Sequence, residues 1–257
     1  MKRLIPLFLV CLFTILSCSE DNDDKISQAN ITFSFNHNWD GTSVTNSDFN
    51  TIKFANARGN QLSIERLRYL ISKITFHNLD GSTTVLEGYN LVDVTDNENL
   101  SFTPTTTVAT GCYTDVTFTF GFNNEDNYDA TYPDLNSASW NVPAMLGGGY
   151  HYMQFDGKFL NALDEEQGFN YHAIRAADNP GPNPTFPQDT FFNVSLGEIT
   201  ISNDATFNIA MNIAEWFKNP NTWDLNVLNQ MLMPNSSAQI MMYENGQNVF
   251  NLESVNQ

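Results

Sequence analysis

The chain is expected to fold as an all-β protein, a two-sheet antiparallel β-sandwich with long loops and a few short helices. Three observations predict it. Segments of alternating apolar and polar residues recur along the sequence, Gly, Asn, Asp and Pro punctuate them as turns, and helical periodicity is confined to short stretches. No repeat appears, and no linker after residue 28 is long enough to mark a second domain.

Residues 1–17 are read as a signal peptide. Lys2 and Arg3 precede the apolar run LIPLFLVCLFTIL, which is too short to span a bilayer and ends in small residues before Cys18. That is the pattern of a bacterial lipoprotein signal, with cleavage before Cys18 and lipid carried on its thiol. Residues 18–29 form a polar, acidic tether with nothing to bury. An acidic run directly after a lipidated cysteine resembles the surface-export signal of Bacteroidota lipoproteins. The expected location is therefore the outer membrane, on its cell-surface or periplasmic face. With Cys11 removed and Cys18 acylated, the mature chain is expected to keep only Cys112, too few for an internal disulfide, and no CxxC motif occurs.

The remaining domain, 30–257, is long enough for one large core. The whole chain's formal charge of −18 becomes about −20 without Lys2 and Arg3, a surface that repels nucleic acid and attracts cations.

The first strand is ITFSF. Ile31, Phe33 and Phe35 share one face, and two further steps bring His37 and Trp39 onto it, just before the turn Asp40-Gly41. The stretch 61–72, QLSIERLRYLIS, reads as a short helix. KITFHN (73–78) then leads through LDGS to a returning strand over 83–94. DVTFTFGF (115–122) aligns Val116, Phe118, Phe120 and Phe122. Strands are also expected at 150–159, 168–174, 191–201 and 205–213. Short helices are expected around 214–219 and 225–233, and the stretch 238–255 suits either a hairpin about Asn245-Gly246 or a final short helix. Two loops rich in Asn, Asp, Pro and Gly, 123–149 and 176–189, flank the strands that carry His151 and His172.

The four histidines show no local ligand spacing such as HxH or HExxH, so a metal site has to be assembled in three dimensions. By parity His77 faces solvent, and His151 shares a face with Met153 and Phe155. For His172, parity decides nothing. Catalytic motifs are absent: there is no GxSxG, no cysteine nucleophile in a plausible setting and no phosphate-binding glycine loop. The carboxylates Asp164, Glu165 and Glu166 read as a solvated turn, and NNEDNYD departs from the EF-hand spacing. No enzymatic activity is expected.

A series of segments resembles the MbnP-like copper-binding family, in its bacteroidal lipoprotein branch. They are FSFNHNWDG, FANARGNQLSIERLRYLISKITFHNLDG, GYNLVDV, GCYTDVTFTFGFNNEDN, MLGGGYHYMQFDGKF and FNYHAI, in that order, spanning about 30 to 175. The most specific is LRYLISKITFHNLDG. The resemblance implies an exported β-sandwich lipoprotein that binds copper for acquisition, storage or handling. Its ligands would be histidines and, in some members, a tryptophan oxidised to kynurenine by an MbnH-type di-haem peroxidase. Carried over, His37 and His172 are the expected ligands and Trp39 the expected tryptophan; apart from the resemblance, the soft thioether of Met145 and the imidazole of His151 are weaker candidate ligands. Two departures stand out: relatives carry two tryptophans where this chain reads MLGGGYHY, and glycine where it has Ala173 after His172. The alternative is a glycan- or protein-binding surface module without metal, stacking its ligand on Tyr128, Tyr132 and Trp140.

Overall fold

A computed structural model describes residues 27–257; the expected signal peptide, Cys18 and most of the tether lie outside the described residues. The protein is an all-β sandwich. Two sheets face each other, one of ten strands and one of five, beside a two-stranded ribbon that pairs Gln28–Ala29 with Val108–Ala109. Ordered pairing thus begins inside the segment read as tether.

The large sheet is built on Arg66–Asn78, which is flanked by Gly111–Phe120 on one side and Met153–Leu160 on the other. Beyond Met153–Leu160 its hairpin partner Glu166–Ala173 extends the sheet. In the small sheet Ile31–Trp39 runs parallel to Ala205–Asn212, which pairs in turn with the C-terminal strand Phe250–Asn256. Aromatic rings join the sheets. Phe35 meets Phe118 edge to face at 6.3 Å between centroids, Phe76 meets Phe207 at 6.0 Å, and Phe118 meets Phe250 at 5.3 Å.

Residues 61–72 are not the expected helix: Gln61–Leu62 and most of Arg66–Asn78 are strand. The cause is burial on both faces. Leu67, Tyr69 and Ile71 enter the sandwich core, while Leu70 packs on the opposite side with Phe122, Leu135, Trp140 and Tyr150. A strand covered on both sides loses its alternation and reads as a continuous apolar run. Loop 123–149 supplies that outer cover. Arg68 pins it down, donating from Nη2 to the carbonyl of Ala138 at 3.0 Å and to Gln154 Oε1 at 2.7 Å.

The expected helix at 225–233 is a run of turns. Its carbonyls are used in tertiary bonds, Leu228 accepting from Trp223 Nε1 and Asn229 from the Asn170 amide. At the C-terminus the helix alternative holds, over Ser236–Gly246, and no hairpin forms about Asn245-Gly246: the strand Phe250–Asn256 that follows pairs with Ala205–Asn212 instead. The stretch 191–201 splits into Phe192–Ser195 and Ile199–Ile201. Cys112 Sγ lies 3.5 Å from Thr200 Oγ1.

Candidate metal centre

Register decides which histidines can meet. Arg68, Gln154 and His172 form one row across three neighbouring strands, and Tyr69, Met153 and Ala173 form the next. Tyr69 points into the sandwich, against Phe35 and Phe250. Side chains alternate along a strand, so the row containing His172 points out of the sandwich, toward loop 123–149.

His37 lies on the other side of that sheet. Its Nε2 is 3.0 Å from the hydroxyl of Tyr69, and the ring is buried between the sheets. Desolvation by burial lowers its pKa to about 4, so it is neutral near pH 7. Trp39 is also structural, stacking on Phe54 with centroids 4.9 Å apart and donating Nε1–H to the carbonyl of Ala55. The expected pairing of His37 and Trp39 with His172 is therefore not what the fold assembles. A backbone sheet lies between them.

The histidine brought to His172 is His151. The ring centroids are 5.3 Å apart and nearly perpendicular. A coordinated imidazole places its centroid about 3 Å from the ion, so two rings at this separation are within reach of one metal. His151 is held by a single carbonyl: that of Trp140 accepts both its backbone amide at 2.9 Å and its Nδ1–H at 2.8 Å. The preceding glycines bend the chain to reach that carbonyl. Gly147, Gly148 and Gly149 all have positive φ, and a Cβ on Gly149 would lie 2.6 Å from Asn127 Oδ1.

The tautomers follow from these partners. A carbonyl accepts only, so the proton of His151 sits on Nδ1 and Nε2 carries the lone pair. The ring is 4 % exposed, and desolvation lowers its pKa to about 4. His172 directs Nε2 at Asp156 Oδ1 at 2.8 Å. Burial alone would raise the Asp156 carboxyl, but hydrogen bonds from His172 and Asn170 and the charge of Arg66 bring it down to about 2. It is ionised and accepts, so His172 donates from Nε2 and keeps its lone pair on Nδ1. Both N–H groups are thus committed to fixed acceptors, the outer-shell arrangement that orients imidazole ligands on metals.

A third donor was missed by sequence reasoning. Met233 Sδ lies 3.3 Å from His151 Nε2. Gln239 sets its backbone from the helix Ser236–Gly246, donating to the carbonyls of His172 and Leu232 at 2.8 and 3.1 Å. Met145 lines a cavity of about 490 Å³ beside His172 and Met233. Among the described residues no group of three or more His, Cys, Asp and Glu side chains is placed to hold a metal. The arrangement consists instead of two imidazoles and a thioether, which suits copper. Hairpin register was the usable signal, since the turn between Leu160 and Glu166 sets 154 opposite 172 and so carries 151 to the same end.

Other expectations find no support. Of the three loop aromatics proposed to stack on a glycan, Trp140 is fully buried, Tyr132 stacks on Phe122, and Tyr128 alone is exposed. Trp140 lies 5.7 Å from the His151 ring, with the Arg68 guanidinium over its own face and its buried indole Nε1 unpartnered.

Comparison with known proteins gives one family and one solved structure. The family model MbnP matches residues 28–242. The structure of MbnP from Methylosinus trichosporium is similar at 13 % identity and a TM-score of 0.43, covering 71 % of this chain and 76 % of that one. No curated protein matches.

Proposed function

The chain belongs to the MbnP family, which is associated with copper, and from that premise we propose that it is an exported lipoprotein that holds copper at His151 and His172. The observation that carries the reading is the paired commitment of the two imidazoles. Each donates its only N–H to a fixed acceptor, the Trp140 carbonyl and the Asp156 carboxylate, leaving one lone pair on each of two rings whose centroids are 5.3 Å apart. Copper is the cargo, and nothing in the site calls for catalysis.

Trp140 replaces Trp39 as the candidate for oxidative modification, because it is the tryptophan that stands against a ligand imidazole. An MbnH-type di-haem peroxidase is the partner this reading implies. A lipid on Cys18 would hold the domain at the outer membrane, and the acidic surface would concentrate cations around it.

The test is metal analysis of protein purified from its native host, alongside His151→Ala and His172→Ala variants. About one copper per chain in the wild type, lost in both variants, is expected. Copper retained by both variants overturns the assignment.

A further inference from the structure

The contact between His151 Nε2 and Met233 Sδ has no proton in it. Nδ1 of His151 carries the hydrogen, and a thioether has none to give, so two lone pairs face each other at 3.3 Å. Packing alone explains such a contact poorly, because a leucine would serve the same apolar neighbours, Val142, Leu146 and Ile174, without it. Two converging lone pairs suit a cation that accepts from both.

Beside this pair lies the cavity of about 490 Å³, and three thioethers, Met145, Met231 and Met233, line it together with His172. The outer two are open to solvent, Met145 at 54 % and Met231 at 78 % exposure, and Met231 has the left-handed φ of 56°. Exposed apolar side chains grouped at one cavity mouth mark a binding surface. Strained backbone at a non-glycine residue clusters at such places. No carboxylate lines the cavity. The nearest, Asp156, already accepts from His172, Asn170 and Arg66.

We propose that Met233 is a third ligand to the ion held by the two imidazoles, and that the exposed thioethers of Met145 and Met231 receive the ion on its way in. This rests on the copper reading of His151 and His172. Thioether sulfur is a soft ligand that selects Cu(I), whereas Cu(II) favours nitrogen and oxygen donors, and this cavity offers sulfur without free oxygen anions. The ion enters and stays as Cu(I), so no electron is exchanged. Each step exchanges one sulfur or nitrogen lone pair for another.

Three variants of the mature chain separate the parts: Met233→Leu, the double variant Met145→Leu/Met231→Leu, and His151→Ala. Cu(I) is supplied from a competing bathocuproine chelate, and Ag(I) serves as a redox-inert probe read by the methionine methyl resonances. Wild type should bind Cu(I), and Ag(I) should shift the methyl signals of all three methionines. Met233→Leu should lose at least about tenfold in Cu(I) affinity while its Cu(II) affinity is unchanged. The double variant should reach the wild-type end-point about tenfold more slowly, since it loses the route and keeps the site. Met233→Leu binding Cu(I) like wild type, or the double variant loading at the wild-type rate, overturns the proposal. In that case Cu(II) binding that still depends on His151 would leave the parent reading standing. A wild-type chain that takes neither ion overturns both.

Discussion

His37 shares its Nε2 with the hydroxyl of Tyr69 at 3.0 Å, in the space between the two sheets and on the opposite side of the large sheet from His172. The two buried histidines of this domain therefore differ in kind. His37 completes a core hydrogen bond, and His151 presents a lone pair to the outer site.

Alanine at the two positions should separate these roles. His37→Ala should keep its copper and lose about 1–3 kcal/mol of stability, because the buried Tyr69 hydroxyl is left without its partner. His151→Ala should lose copper. Metal content and denaturant unfolding of both variants check this, and copper lost from His37→Ala would overturn the division.

Asp156→Asn should weaken copper binding about 10- to 100-fold with the fold retained, as for other outer-shell partners of a ligand imidazole. The carboxylate fixes the His172 proton on Nε2, and an amide can flip to present either a donor or an acceptor. Competition titration with circular dichroism as control measures the effect. Unchanged affinity would mean that His172 is oriented some other way.

Stability of the metal-free protein should fall on mild acidification. Burial holds the folded pKa values of His37 and His151 near 4, against an ordinary histidine value of 6.5. The unfolded chain therefore binds protons first, and the stability each neutral ring carries is complete above about pH 6.5 and lost toward about pH 4. The slope is on the order of 1.4 kcal/mol per pH unit for each histidine within that window. Asp156 acts lower down: its contribution is present above its ordinary value of 3.8 and is lost as pH falls through about 2. Denaturant unfolding across this range should show a shallower slope in His37→Gln than in wild type. Equal slopes would remove His37 from the account.

Gly149→Ala should destabilise the domain by about 1–3 kcal/mol, since the residue has φ 76° and its new methyl would meet Asn127. The same change should weaken copper binding, because this bend delivers His151 to the Trp140 carbonyl. Thermal unfolding and copper titration of one variant read both effects.

Cys18→Ala should abolish acylation and leave the leader uncleaved or the protein misplaced. Metabolic labelling with a fatty acid and membrane fractionation test it. Unchanged membrane association would show that the leader was misread.

Where alternation was clean, as in Ile31–Trp39 and Ala205–Asn212, the sequence by itself determined the strands, because one face is wet and the other dry. It also determined the all-β class and the run of segments that places the chain in its family. It erred at Arg66–Asn78, where loop 123–149 covers the outer face and hides the alternation. Side-chain parity put His37 on an apolar face correctly, but parity along one strand cannot tell which residues of other strands share that face. Only the tertiary structure set His151 against His172 and brought Met233 from about 60 residues beyond His172 to join them. Those contacts depend on hairpin register, on the glycine bend before Tyr150 and on the Gln239 bridge, all of which are interactions between segments distant in sequence.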